Sequence, residues 1–151
     1  MYRAHDDQID AVFLLHQQLR TLMDRRMRPF GLTYAKYQLL ACIKDHGPCT
    51  SGQVAIKLGL LPGSLTKPIK SLVDAGWVKE DQEVFDQRKW WLTASQQGSD
   101  LWHKAQAVRD DVFIEVLDSI DPSHGHPLHE ALSAMSRTAT RLLSSNSEKS
   151  G

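Results

Sequence analysis

The sequence predicts a mainly α-helical fold interrupted by a single two-stranded hairpin. Apolar residues recur at spacings of three and four along most of the chain, the period of a helix with one buried face. That pattern breaks once, between residues 77 and 92, into two short runs rich in aromatic and branched side chains. Thr, Gly and Pro fall where helix caps and stops belong.

The first helix covers about residues 5–29, with Ile9, Val12, Phe13, His16, Leu19, Leu22, Met23 and Met27 forming one stripe and Pro29 and Gly31 ending it. Thr33 then caps a second helix, which is apolar on two sides through Tyr37, Leu40 and Ala41 and through Leu39 and Ile43, and Gly47-Pro48 stops it. Thr50-Ser51-Gly52-Gln53 reads as a capping box for a short third helix that turns Val54, Ala55 and Leu58 inward and closes at Gly59. A fourth helix, about Gly63 to Ala75, points Leu65, Ile69, Leu72 and Val73 inward, and Gly76 ends it. The hairpin pairs Trp77–Glu80 with Lys89–Leu92. Thr93-Ala94-Ser95-Gln96 is a second capping-box pattern, opening a long helix that Asp121-Pro122 breaks. His124-Gly125-His126-Pro127 is expected to be a loop, and a last helix covers about 127–143.

A short helix, a tight turn, a second helix and a two-stranded wing describe a winged helix-turn-helix, flanked here by one helix before and two after. The divisions expected are an N-terminal helix at 5–31, a winged helix-turn-helix at 32–98, C-terminal helices at 99–143 and a disordered Ser-rich tail at 144–151.

Residues 32–98 resemble the MarR family of transcriptional regulators. The resemblance rests on Leu32-Thr33, on Gly47-Pro48-Cys49-Thr50, on Ser64-Leu65-Thr66-Lys67 and on Leu72 through Val78. It continues through Asp86-Gln87-Arg88 in the wing to Leu92-Thr93 and Gly98. Two features depart from the family pattern. Pro68 sits inside the expected recognition helix, and the stretch from Asp86 to Leu92 is about two residues shorter than usual, which leaves the register of the second wing strand open.

The resemblance implies a homodimer that sets two recognition helices in successive major grooves of double-stranded DNA. Ser64, Thr66, Lys67 and Lys70 supply the small polar and basic side chains such a helix needs, opposite apolar positions 65, 69 and 72. By the same resemblance Arg88 enters the minor groove and Asp86 orients it, a guanidinium suiting the negative potential there. Lys89 is expected to contact a phosphate, and Thr50 and Ser51 at a helix N-terminus are expected to offer another such contact. The competing reading of these residues is an ordinary solvated face with a surface ion pair. Trp77, Trp90 and Trp91 are expected to pack the wing onto the helices.

The three flanking helices are expected to form the dimer interface. A pocket between them and the DNA-reading lobe would draw on Phe13, His16, Arg20, Tyr37 and Trp102, an aromatic lining with Arg and His that suits an aromatic acid or phenolic effector. The alternative is that these five residues are interlobe core. A second sensor reading is zinc, with His103, Asp45, His46 and the His124, His126, His129 group as available ligands. His103 is followed four residues later by Ala107 rather than by a second His. A winged helix used only for protein contacts is the remaining alternative. Cys42 and Cys49 are expected to be structural.

Composition excludes other classes. Lys plus Arg and Asp plus Glu are 18 each, so gross charge does not hold this chain on nucleic acid. The charge is nonetheless uneven: residues 46–73 contain no Asp or Glu but carry Lys57, Lys67 and Lys70, and residues 99–151 are net −3. A hydrophobic fraction of 41% excludes disorder for most of the chain. No leader-like apolar run and no stretch of 18 apolar residues occurs, so a cytoplasmic protein without membrane contact is expected. The Gly-rich phosphate loop, HExxH and GxSxG are absent, so no catalysis and no cofactor are expected.

Overall fold

The computed structural model describes residues 3–147. The chain runs α1 (Arg3–Met27), a 3₁₀ turn at Arg28–Phe30, α2 (Tyr34–His46), α3 (Ser51–Leu58), a 3₁₀ turn at Pro62–Leu65, α4 (Thr66–Asp74), β1 (Val78–Gln82), β2 (Trp90–Ala94), α5 (Gln96–Leu117) and α6 (Pro122–Ser147). Among the described residues no helix is long and apolar enough to cross a membrane. The described residues fall into two compact units, and the division after Asp110 lies within α5.

In the first unit the caps form where the sequence places them. The Thr33 hydroxyl accepts the Lys36 N–H at the head of α2. At α3 the box closes both ways: Thr50 Oγ1 accepts from Gln53 N, and Gln53 Oε1 accepts from Thr50 N at 2.9 Å. Gly59 ends α3 in the left-handed region that Gly adopts without a Cβ penalty. We expect Thr50→Ala to cost about 1 kcal/mol of stability, read as a lower urea midpoint at unchanged slope.

The core forms where α2, α3, α4 and the hairpin meet. Leu40 and Ile43 from α2, Val54 from α3, Leu72 from α4 and Leu92 from β2 are fully or almost fully buried there. α1 is tied to the unit at its C-terminal half. Met23 and Met27 are buried, and the Asp24 carboxylate accepts the Tyr34 N–H at 2.7 Å, satisfying a donor at the start of α2.

Several expectations need correction. Pro68 does not interrupt a helix. α4 starts only at Thr66, so Pro68 lies in its first turn, where the missing N–H would have had no intrahelical acceptor. Ser64 consequently belongs to the preceding 3₁₀ turn, its hydroxyl donating to the Leu61 carbonyl at 2.6 Å. The second wing strand is full length: β1 and β2 pair antiparallel over five residues each, from Val78 opposite Ala94 to Gln82 opposite Trp90. Thr93 and Ala94 are strand residues, and α5 is capped instead by Ser95, whose hydroxyl accepts the Gly98 N–H at 3.0 Å and donates to the Gly76 carbonyl.

In residues 111–151, His124-Gly125-His126-Pro127 is helical rather than a loop. Pro122 sits at the first helical position and Asp121 caps it. The hydroxyl and N–H of Ser123 both donate to the Asp121 carboxylate and hold it below its usual pKa. Pro127 is absorbed inside α6. That helix also runs to Ser147, so the start of the tail expected to be disordered is helical, while residues 148–151 lie outside the described residues.

Candidate nucleic-acid interface

The inward spacing of Leu65, Ile69 and Leu72 buries one face of α4 and turns the opposite face outward. Ser64, Thr66, Lys67 and Lys70 are all exposed. They divide into two groups. Ser64 and Lys67 border a cleft between α1, α2 and α4, whereas Thr66 and Lys70 face the hairpin, beside Ser51, Glu80 and Trp90. Lys70 Nζ pairs with Asp74 one turn on, at 2.9 Å, an exposed pair worth little that yields readily to a phosphate. Ser51 is exposed at the first position of α3, and the Thr50 hydroxyl is engaged by its own cap.

The wing is fixed by its own hydrogen bonds. Glu83 N donates to the Lys89 carbonyl and Lys89 N to the Asp86 carbonyl, each at 2.9 Å. The Gln82 side-chain amide donates to the Gln87 carbonyl at 2.6 Å. Trp91 Nε1 donates to Glu83 Oε2, also at 2.6 Å, and this bond holds the Glu83 carboxyl below the usual carboxylate range. Asp86 acts on Arg88 through the backbone. Its carboxylate accepts the backbone N–H of Arg88 at 3.1 Å, so it shapes the turn that presents Arg88. The Arg88 and Lys89 side chains are exposed.

Gln82 and Glu83 therefore support the wing although nothing in the sequence pattern points to them, and Trp91, expected as packing, also holds the wing through its indole N–H. Glu83 lies two residues beyond Asp81, the cross-strand partner of Trp91, on the same face of the hairpin. That relation is legible only once the register is known. Of the three tryptophans singled out, Trp77 packs against the core, Trp91 is half-buried and bonded to Glu83, and Trp90 is 46% exposed where the hairpin faces α4.

The five residues expected to line one effector pocket do not converge. His16 and Arg20 border the cleft between α1, α2 and α4, about 590 Å³ in volume. Tyr37 and Trp102 border an adjoining cleft of about 510 Å³ between α2 and α5. Phe13 lines neither and is 68% exposed. In the second cleft Tyr37 is stacked on Tyr34 and donates to Gln106 Oε1 at 2.6 Å, burial having pushed its phenol pKa up. Trp102 lies beneath Lys44 Nζ, 4.1 Å from the ring centre, and among the described residues its indole N–H is the buried side-chain polar atom with no partner.

Among the described residues no three His, Cys, Asp or Glu side chains gather as a metal-binding group, so His103, Asp45, His46 and the three histidines of α6 do not come together as one. Cys42 and Cys49 are both buried and free, and burial pushes both thiols up.

The MarR family sequence model matches residues 32–90. An uncharacterised HTH-type transcriptional regulator of Mycobacterium leprae is 29% identical over 111 residues, covering 74% of this chain and 75% of that protein. An Escherichia coli MarR variant solved in complex with operator DNA has a TM-score of 0.80 at 19% identity, covering 89% of this chain and 97% of that one. CouR from Rhodococcus jostii, solved with p-coumaroyl-CoA, has a TM-score of 0.74, also at 19% identity, covering 87% and 92%. The matched segment contains α2 through the start of β2, with the exposed face of α4 and the wing loop that carries Arg88, so residues 32–90 are what this chain shares with the MarR family of transcriptional regulators.

Proposed function

We propose that this regulator binds a pseudo-palindromic operator as a homodimer, acts as a repressor and is released by a small aromatic or phenolic acid. The observation that carries DNA reading is the exposed polar face of α4 beside a wing whose turn is hydrogen-bonded into the shape that presents Arg88. The E. coli MarR variant with operator DNA supports the same use of the fold. Binding rather than catalysis is the role, and access to DNA places the protein in the cytoplasm.

A second copy is supported by the flanking helices. α1 leaves Ile9, Phe13, Leu14 and Leu15 exposed, and α6 leaves Leu128, Leu132, Leu142 and Leu143 exposed. Helices with this much uncovered apolar surface need a partner. Sedimentation should give a dimer at micromolar concentration, and a monomer would remove this part of the proposal.

The effector is placed in the cleft between α2 and α5. A carboxylate or phenolate there would give the buried Trp102 N–H the acceptor it lacks, against the stacked Tyr34 and Tyr37 and near Lys57. The solved structure of CouR with p-coumaroyl-CoA supports a phenolic class. Electrophoretic shifts with the promoter beside the protein's own gene test both halves. Salicylate or 4-hydroxybenzoate should release the duplex, and Trp102→Phe should raise the half-effective concentration roughly tenfold. If no phenolic acid changes duplex affinity, the effector assignment is wrong.

A further inference from the structure

The tip of the wing carries two adjacent apolar side chains that no part of the described protein covers. Val84 is 82% exposed and Phe85 is 96% exposed. Their exposure is a consequence of the fixed loop. Glu83 N bonded to Lys89 O and Arg88 N bonded to Asp86 Oδ1 close the backbone on either side of them, so the pair projects from a built turn. Phe85 stands three residues before Arg88 on that turn.

The charge around the tip sharpens the question of what it touches. From residue 78 to 94 the hairpin carries three basic and four acidic residues, net −1. Two of the acids are turned onto the loop's own donors, Glu83 onto the Trp91 indole and the Val84 N–H, and Asp86 onto the Arg88 N–H. A hairpin of this balance gains little from general attraction to phosphates. An apolar contact needs no charge. Large apolar side chains on minor-groove readers act as wedges between base steps, where unstacking is offset by burial of the side chain.

We propose that Phe85, flanked by Val84, is a specificity-determining wedge that enters the minor groove beside Arg88 and partly unstacks one base step. The inference rests on the reading of the wing as a DNA contact. It assigns the apolar tip to duplex DNA because the tip is continuous, through one hydrogen-bonded turn, with Arg88, which that reading sends into the minor groove. Preference follows from deformability: pyrimidine–purine steps such as TA and CA open at least cost, so they should recur where the wing lands.

The test uses the full chain and a duplex selected by it from a randomised pool. Binding is measured at several salt concentrations, with 2-aminopurine placed in turn at the steps flanking each half-site. Wild-type protein should raise the fluorescence at one step per half-site. Phe85→Ala should abolish that rise and raise Kd roughly ten- to thirtyfold. Because a neutral side chain releases no counterions, its salt slope should stay that of the wild type. Phe85→Leu, which keeps an apolar wedge, should restore most of the affinity. Phe85 is solvent-exposed, so neither change should alter the melting temperature. Wild-type affinity and unchanged fluorescence in Phe85→Ala, with Arg88→Ala impaired, would overturn the wedge alone and leave the tip to another macromolecule. If Arg88→Ala also bound normally, the whole wing contact would fall. If the wild type selected no duplex, DNA reading itself would fall.

Discussion

Arg88→Ala should weaken operator binding by about 1–3 kcal/mol and reduce the magnitude of the salt slope by about 1. Lys104→Ala should change neither quantity. Both residues are exposed and both are basic, so general charge loss affects them alike. They differ in placement. Arg88 sits on a turn fixed by the Asp86 carboxylate and by bonds between Glu83, Lys89 and Asp86, whereas Lys104 lies on an open face of α5. A guanidinium presented from a rigid turn loses little conformational freedom on entering a narrow groove, so its contact is worth more than that of a mobile surface lysine. Fluorescence anisotropy with a labelled duplex, repeated across a salt series, separates the two. Equal losses in both variants would contradict the wing assignment.

Gly98→Ala should destabilise the fold by about 3 kcal/mol or more, because among the described glycines it is the one whose added Cβ meets the tightest backbone contact. A Cβ at residue 98 would overlap the Trp77 carbonyl oxygen and come within 2.9 Å of the Trp77 carbonyl carbon. These are backbone atoms, and they cannot swing aside. The Trp77 carbonyl also accepts the Ser95 N–H at 3.0 Å, and Ser95 in turn caps α5 through Gly98 and bonds Gly76. The added methyl therefore forces apart the junction between the hairpin and α5. Gly125→Ala is the matched comparison. It lies within α6 with nothing near the new Cβ, and should stabilise by about 0.5–1 kcal/mol through helix propensity. Urea unfolding followed by circular dichroism measures both. A Gly98→Ala midpoint equal to wild type would refute the packing described at that junction.

The sequence was most readable where local chemistry decides structure. Thr33 and Thr50 are followed at the right distance by the donors they cap, and the inward residues of α3 and α4 follow the helical period, so these elements could be placed from the residues alone. It was least readable where a residue has two lawful positions. Proline both starts and stops helices: Asp121-Pro122 has the spacing of a break as well as of a cap and first turn, and Pro127 has that of a new start although it lies inside α6. Pro68 posed the reverse case: it looked interior until the 3₁₀ turn moved the start of α4 to Thr66. The wing register depends on how loop 83–89 closes, which involves the side chains of Gln82, Asp86 and Trp91 together, and no spacing rule reports that. The expected effector set mixed residues from α1 and α5 because helical periodicity says which face a side chain occupies but not which neighbour that face meets. Tyr37 and Trp102 do share a cleft, and His16 and Arg20 share another.

The direct test of the central claim, that α4 and the wing read duplex DNA as paired lobes, is hydroxyl-radical footprinting of the purified protein on its selected duplex. Two protected zones related by a dyad, with centres about 10 bp or a small multiple of that apart and minor-groove protection at their edges, are the expected result. A single asymmetric zone, or no protection at concentrations that saturate a folded dimer, would contradict it.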